Sequence, residues 1–409
     1  MNKLKFCRNC KSSKLVSIVN LGNQSFTGIF PSTKKKAIPQ GILELIKCNN
    51  CNLVQLGHSF DLNYMYGKNY GYRSSLNKSM VAHLKQKYKK LIGKFKLRKN
   101  DIILDIGSND GTLLNFFSKK YTRIGIDPTI SKFKKYYKDR DIILIDDYFS
   151  SENYFSKLTN RAKIITSISM FYDLEDPRKF VQNIHQTLDD NGVWHFEQSY
   201  LPSMIEKLSY DTICHEHLEY YDLTIIKKIL KIYKIKILDV EFNDINGGSI
   251  AITAAKYGSN YKANFNLINK ILRYEKNLYK NKNYFTDFRK KIFKHKSNLK
   301  KIVNKIKKEN KILIGYGAST KGNVIIQFCK FSSKDIKIIA DVNSDKFNHF
   351  TPGSKIKIIS EKKAKLLNPD YMIVFPWHFK EMIIQKEKKF LKKLGKLIFP
   401  LPKIEIINE

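Results

Sequence analysis

The sequence predicts an α/β protein in which a small cysteine-rich module precedes two doubly wound, Rossmann-like sheets. Three observations carry this. Two Cys-x-x-Cys pairs, Cys7/Cys10 and Cys48/Cys51, open the chain. Between about residues 100 and 200, short apolar runs alternate with helical stretches, beginning DIILDIGSNDG and TRIGIDP. Beyond 308 the order strand, glycine-rich turn, helix, strand, acid restarts as KILIGYGASTKGN and DIKIIADVN. Strands alternating with helices build parallel sheets, because each crossover consumes a helix's length of chain. At 409 residues the chain holds two domains plus a module. The expected division is 1–60 for the module, 61–260 for the first sheet, 261–308 for a lysine-rich helical connector and 309–409 for the second sheet.

In the module, each Cys-x-x-Cys turn presents two sulfurs from one tight loop, so the two turns complete the four thiolates of a tetrahedral Zn2+ site. Only Cys214 and Cys329 remain outside it. Four thiolates leave no open coordination position, so the metal is expected to be structural. A strand-like stretch, Gly41–Lys47, leads into the second pair. From Asn63 a Tyr-rich segment, YMYGKNYGYRSSLNKSM, passes into a basic helix.

The central pattern runs DIILDIG, TLLNFFSKK, TRIGIDP, IILIDDYF, AKIITSISMFYDL, a helix Pro177–Leu188, and NGVWHFEQSY. Asp105 ends the first strand, Gly107, Asn109 and Gly111 follow in the turn, and Asp127 ends the next strand about twenty residues later. In a doubly wound sheet these positions share the carboxyl edge, where ligands bind. The glycines admit a ligand close to the backbone, and a carboxylate at Asp127 suits two ribose hydroxyls. An NAD site uses much the same parts. The form D-x-G-x-x-x-G, with an acid ahead of the first glycine, resembles the S-adenosylmethionine turn of class I methyltransferases, whose ligand carries no pyrophosphate.

The segment YDTICHEHLEYY, Tyr210–Tyr221, gathers Asp211, His215, Glu216, His217 and Glu219. Two histidines around a glutamate are either metal ligands or a general base with its carboxylate partner. In the second sheet, Gly315, Gly317 and Gly322 offer backbone N–H groups to a phosphate at a helix start, with Ser319, Thr320 and Lys321 as further donors. A helix over Val324–Lys330 follows. Asp341 stands where a ribose-binding acid would, and Pro376, Trp377 and His378 end a later strand at the ligand edge.

Lys and Arg number 75 against 37 Asp and Glu, a formal charge of +38. The excess is spread along the chain, as in Lys34–Lys36, Lys85–Lys99 and Lys290–Lys308, and accompanies abundant Ile, Asn, Tyr and Phe, the mixture an AT-rich genome produces. It reads as solvated lysine faces, whose positive field also suits a nucleotide-bearing substrate, rather than as a nucleic-acid surface. No stretch of eighteen apolar residues occurs and the start MNKLKFCRNC lacks a signal peptide's apolar run. A cytoplasmic protein without membrane insertion is expected, and reduced cysteines fit that compartment.

Taken in order, the cysteine pairs, LDIGSNDGTLL, SMFYDLEDP, EQSYLPSM, YDTICHEHLEYY, NGGSI at Asn246–Ile250, GYGASTKGN, DVNSDKF, TPGSKI and FPWHF make the chain resemble, over nearly its whole length, the sugar C-methyltransferase family of deoxysugar biosynthesis. The resemblance implies a zinc module, an S-adenosylmethionine domain and a C-terminal α/β domain, with a nucleotide-linked sugar between the last two. Asn246, Asn323, Trp377 and His378 then fall in substrate-binding motifs. It also implies that His217 removes a proton α to the sugar ketone with Glu216 beside it, and that Tyr70 or Tyr72 stabilises the enediolate. A second family tyrosine, just before His-Glu-His, is Cys214 here, so His215, another tyrosine such as Tyr220, or a different substrate geometry is expected to compensate. Three rival functions are methylation at oxygen or nitrogen, an NAD-dependent sugar-nucleotide oxidoreductase (no Tyr-x-x-x-Lys pair follows a Rossmann turn) and a basic zinc-bearing nucleic-acid-binding protein.

Overall fold

The computed structural model describes residues 2–66, 71–139 and 141–408. Tyr70 therefore lies outside the described residues. The central sheet has seven strands in the spatial order Ile235–Asn243, Ser249–Lys256, Leu188–Ser199, Ala162–Ile168, Ile102–Ile106, Thr122–Ile126, Ile143–Ile145. Numbered along the chain this is 6-7-5-4-1-2-3, with the seventh strand antiparallel to both neighbours and the other pairs parallel. The chain order reverses between the first and fourth strands, and the crevice at their carboxyl ends is where a doubly wound sheet takes its ligand.

The second sheet has six strands in the order Ile358–Ser360, Ile339–Asp341, Leu313–Tyr316, Tyr371–Val374, Lys396–Phe399, Glu405–Ile407; the last is antiparallel to its neighbour and the rest are parallel. Two helices, Phe265–Leu278 and Tyr284–Lys308, connect the sheets. The first is anchored by Glu275, which is fully buried and accepts from Leu223 N (2.7 Å) and Thr224 N (2.9 Å) at the start of helix Leu223–Ile232. The helix expected at Val324–Lys330 instead runs Thr320–Phe328, because Ser319 caps it by accepting from Gly322 N at 3.0 Å. No helix among the described residues is long and apolar enough to cross a membrane.

The N-terminal sheet departs most from the pattern read in the sequence. Three of its strands, Leu15–Ser25, Gln40–Cys48 and Val54–Leu56, come from the first sixty residues, and the fourth is Glu219–Tyr220, just past His-Glu-His. Glu219 stands opposite Gln55 and Tyr220 opposite Val54, and Leu56 N–H donates to Leu218 O at 2.8 Å. One face of this sheet, including Leu43, Leu45 and Leu56, packs into a core shared with the second sheet, while Cys7, Cys48 and Leu53 pack into the core of the central one. The strand Leu15–Ser25 is also clasped to helix Thr320–Phe328: Ser25 N–H donates to Gln327 Oε1 (2.8 Å), Gln327 Nε2 donates to Ser25 O (3.1 Å), and Asn323 Nδ2 donates to Thr27 O (2.7 Å).

Helix Lys78–Lys94 is fastened to the central sheet through Glu197, which is fully buried and faces His83 Nε2 (2.7 Å), Lys87 Nζ (2.7 Å) and Asn243 Nδ2 (2.8 Å). Burial alone would raise this carboxyl, but His83 and Lys87 outweigh it and hold it down at about 2. A carboxyl depressed from 4.5 to about 2 contributes on the order of 3 kcal/mol above the unfolded value, lost as pH falls toward 2. Stability followed by urea titration should therefore drop between about pH 5 and pH 2 in the wild type, and Glu197→Gln should start lower at pH 7 and lose less over the same interval.

Candidate active site and metal centre

The two cysteine knuckles are tight turns in which Lys11 N–H donates to Cys7 O (3.0 Å) and Asn52 N–H donates to Cys48 O (2.9 Å). They bring Cys7, Cys10, Cys48 and Cys51 together with all four sulfurs within 4.8 Å of one another, Cys7 to Cys51 at 3.6 Å and Cys10 to Cys48 at 3.5 Å. A tetrahedron with Zn–S bonds of about 2.3 Å has edges of about 3.8 Å, whereas a disulfide needs about 2.0 Å. The thiols fit Zn2+ in number, chemistry and spacing.

A cleft opens at the carboxyl ends of the central strands. The turn residues Asp105, Gly107 and Asn109 line it, with Asp127, Thr129, Tyr148 and Phe149 from the next two strand ends and Ser169, Met170, Asp173 and Glu175 from the fourth. Tyr72 and Ser74 of the Tyr-rich segment close over it, held by the turn: Ser74 N–H donates to Asn109 Oδ1 (3.0 Å), Asn109 Nδ2 to Tyr72 O (3.2 Å), and Ser75 N–H to Asp110 Oδ2 (2.9 Å). The mostly apolar lining with a few fixed carboxyls suits a nucleoside carrying a charged tail. Gly111 is not in the lining. Its φ of +73° and a Tyr137 ring 2.5 Å from where a Cβ would stand make it a packing requirement of the turn.

Asp105 and Asp127 differ in what they offer. Burial pushes the Asp105 carboxyl up to about 7, although Thr166 Oγ1 donates to it at 2.6 Å. Asp127 is already engaged within the fold: Asn109 N–H donates to Oδ2 (2.8 Å) and Thr129 N–H to Oδ1 (2.7 Å). Oδ1 also accepts from Thr129 Oγ1 at 2.5 Å, so Oδ2 is the oxygen that keeps a second lone pair for a ribose hydroxyl. Asp341 does the same in the second sheet, accepting from Ala318 N (2.6 Å) and Asn343 N (2.7 Å).

The His-Glu-His segment meets this cleft at one end. The His217 ring lies 4.4 Å from that of Tyr172, and Leu218 and Glu219 N–H groups donate to Tyr172 O (2.8 and 3.0 Å), next to Asp173 in the cleft lining. His217 Nδ1 sits 2.9 Å from Thr212 O. A carbonyl can only accept, so Nδ1 carries the proton and Nε2 is the basic nitrogen. Burial, then the charge of Lys321, lowers His217 to about 3, and burial raises Glu216 to about 7 against a hydrogen bond from the Cys214 thiol. Gly28 of the N-terminal module makes room for Glu216: a Cβ there would fall 2.2 Å from Oε1.

The structure separates His215 from this site: it is buried between Phe26 and Phe60 with Nε2 3.3 Å from Gly41 O. Tyr220 stays next to His217, its OH donating at 3.3 Å to Thr212 O, the carbonyl that also holds His217 Nδ1. His215 and His217 point to different neighbours, so they do not form a common metal site. Among the residues expected to cradle phosphate, Ser319 caps its helix and Asn323 joins Thr27, while Pro376 packs against Gly317 at the end of strand Leu313–Tyr316, which also contains Gly315. Lys321 and Trp377 instead reach the central domain: Lys321 Nζ donates to Asn246 O (2.7 Å), Trp377 Nε1 donates to buried Asp211 Oδ2 (2.8 Å), and the indole covers Gly247. Asn246 Nδ2 donates in turn to Ser169 Oγ (3.4 Å) in the cleft lining. Burial, then the Lys321 charge, lowers neighbouring His378 to about 3. Sequence reasoning did not single out Arg8, Tyr172 or Asp173. The last two lie in SMFYDLEDP, whose apolar start reads simply as a strand end.

Three family models match the chain in series: a zinc binding domain at residues 7–66, a methyltransferase domain at 80–238 and a C-methyltransferase C-terminal domain at 244–402. The C-methyltransferase NovU of Streptomyces niveus is 24% identical over 407 residues, covering 98% of this chain and 96% of that protein. Among solved structures, an S-adenosylmethionine-dependent methyltransferase of Clostridium acetobutylicum aligns over 42% of this chain and 90% of its own, with 14% identity and a TM-score of 0.34. Magnesium protoporphyrin IX methyltransferase of Synechocystis aligns over 44% and 87%, with 9% identity and a TM-score of 0.34.

Metal analysis should find one zinc per chain, and Cys48→Ser should lose it and lower the thermal stability of the N-terminal sheet. Asp127→Ala should weaken S-adenosylmethionine binding by about 1–3 kcal/mol in calorimetry, through the loss of charge-assisted hydrogen bonds.

Proposed function

From a chain that is an S-adenosylmethionine-dependent methyltransferase with the domain series of the C-methyltransferases, we propose that the acceptor is a carbon next to the ketone of a nucleotide-linked deoxysugar, made nucleophilic by His217. The cofactor supplies an electrophilic methyl group. Everything else falls to side chains. A carbon accepts that methyl only when it carries an electron pair, so a proton α to the ketone has to leave first. His217 Nε2 takes it, and the C–H electron pair moves into the ketone, leaving negative charge on the sugar oxygen. The observation that carries this reading is the 2.9 Å contact of His217 Nδ1 with Thr212 O, which leaves Nε2 as the base on a ring packed 4.4 Å from that of Tyr172.

The charge on oxygen needs a donor. With Cys214 buried, His215 turned elsewhere and the Tyr220 OH engaged by Thr212 O, Lys321 takes that role in this reading: it is held on Asn246 O and its charge acts on His217 and Asp211. Burial pushes its ammonium down from the usual lysine value, against the pull of Asp211 and Cys214, so it gains from a new anion beside it. Tyr66 and Tyr72 of the Tyr-rich segment both line the cleft, and Tyr72 assists in this reading. The sugar then lies where Lys321, Asn246 and Trp377 meet, with its nucleotide toward the second sheet.

Incubation with a panel of nucleotide keto sugars in deuterated water tests this. Wild-type enzyme should wash deuterium into the α-carbon without S-adenosylmethionine. His217→Ala should cut exchange and methyl transfer by roughly 10²–10⁴-fold, and Lys321→Met should lower both while leaving S-adenosylmethionine affinity unchanged. Because His217 is held near 3, a limb near pH 7 in the rate profile belongs to Glu216 or Asp105, and its loss in Glu216→Gln but not in Asp105→Asn assigns it to Glu216. A product methylated on oxygen or nitrogen overturns the reading.

A further inference from the structure

We propose that Arg8 is a positioning residue that couples the metal knuckle to the catalytic segment and to the wall of the cofactor cleft, so that metal occupancy sets the geometry of the active site. The catalytic half of this inference rests on the reading of His217 given above.

Arg8 lies inside the first knuckle, between the ligands Cys7 and Cys10, and only 2% of it is exposed. A guanidinium in that position is costly to bury unless its donors are used. They are used in three directions. Nη1 donates to Leu56 O (2.7 Å) and Nη2 to His58 O (3.0 Å) and Ser59 Oγ (3.0 Å), while the Arg8 backbone N–H donates to Gln55 Oε1 (3.0 Å). These bonds hold the strand Val54–Leu56, which is the strand that pairs with Glu219–Tyr220. Nε donates to Glu175 Oε2 (3.1 Å), a cleft-lining carboxylate that also accepts from Ser59 Oγ (2.8 Å). The third direction is electrostatic: Nε stands 3.8 Å from Glu219 Oε1, a fully buried carboxyl two residues past His217 whose oxygens have no hydrogen-bond partner among the described residues.

A continuous route from the knuckle to the base runs through Arg8. The metal's ligand turn fixes the backbone at Arg8, Arg8 fixes Leu56 and the buried Glu219, and Leu218 and Glu219 are tied in turn to Tyr172 O beside the cleft. Without the metal the turn at Cys7 and Cys10 loses its constraint and the guanidinium loses its aim. A buried carboxyl and a cleft carboxylate are then left without their cation, and the segment that carries His217 is free to shift. A misplacement of about 1 Å at a reacting group costs on the order of 10²-fold in rate.

The test uses the full-length zinc-loaded protein and the variants Arg8→Lys and Arg8→Met. Lysine keeps the charge but, with one nitrogen, cannot reach Leu56 O, His58 O and Glu175 together. Both variants should keep their zinc. Both should show faster amide hydrogen exchange, by roughly tenfold or more, in the peptide containing Leu218 and Glu219, with weaker S-adenosylmethionine binding. These two readouts do not involve a sugar, so they stand or fall apart from the proposed function. In the deuterium wash-in assay the variants should slow α-carbon exchange by roughly 10–100-fold. Chelating zinc from the wild type should reproduce the same pattern, and chelating it from Arg8→Met should add little, since both changes cut one route. If Arg8→Met misfolds, Arg8→Lys and Arg8→Met/Glu219→Gln, which removes the orphaned carboxyl, carry the same measurements. Wild-type protection and cofactor affinity in the zinc-loaded Arg8 variants, or effects of metal removal and substitution that simply multiply, overturn the proposal.

Discussion

The pairing of Glu219–Tyr220 with Val54–Leu56 is the constraint on which the rest of the molecule depends. A two-residue strand contributes little by itself, yet this one sets where three bodies meet. It carries the His-Glu-His segment out of the central domain, lays it on the N-terminal sheet and brings Glu216 against Gly28, so that a module that looks detachable in sequence is a wall of the site. The adjoining residues are buried on all sides because each of the three parts covers one face.

That burial explains the electrostatics. Asp105 and Glu216 are raised to about 7, Asp173 and Glu219 are raised well above ordinary carboxyls, and His215, His217 and His378 are lowered to between about 3 and 4. Desolvation is the largest cause in each case, and it favours the neutral form whatever the sign of the charge. These buried groups are thus shifted toward their neutral forms, with Arg8, paired to Glu175, and Lys321 as the cations among them. A region of low dielectric with one aimed cation magnifies any negative charge formed within it, which is what enolate chemistry requires.

The sheets, the cysteine cluster and the turn that lines the cleft were legible in the sequence because each rests on local spacing: two Cys-x-x-Cys turns, a glycine turn after an apolar strand, and an acid one strand later. The second structural duty of those acids was not, since only coordinates show Asp127 and Asp341 each bracing a backbone turn with both oxygens. Long-range partnerships were hidden for the same reason. Nothing near Arg8 in sequence announces Glu175 or Glu219, and the polar run at Ser319–Asn323 reads as a phosphate cradle until Asn323 is found on Thr27 and Lys321 on Asn246. His215 and His217 look equivalent in the sequence. They are told apart by what packs around them, an aromatic core for one and the cleft edge for the other.

The clasp between Ser25 and Gln327 joins residues 302 apart in the chain. Synthesis at about 5–20 residues per second places roughly 15–60 s between the emergence of the two partners. For that interval the strand Leu15–Ser25 waits beside an unclosed edge, and an open edge is a template for pairing with other chains. The lysines carried by this region, Lys14 before the strand and Lys34–Lys36 after it, keep such a half-built sheet charged and apart from its neighbours while the remainder of the chain is made.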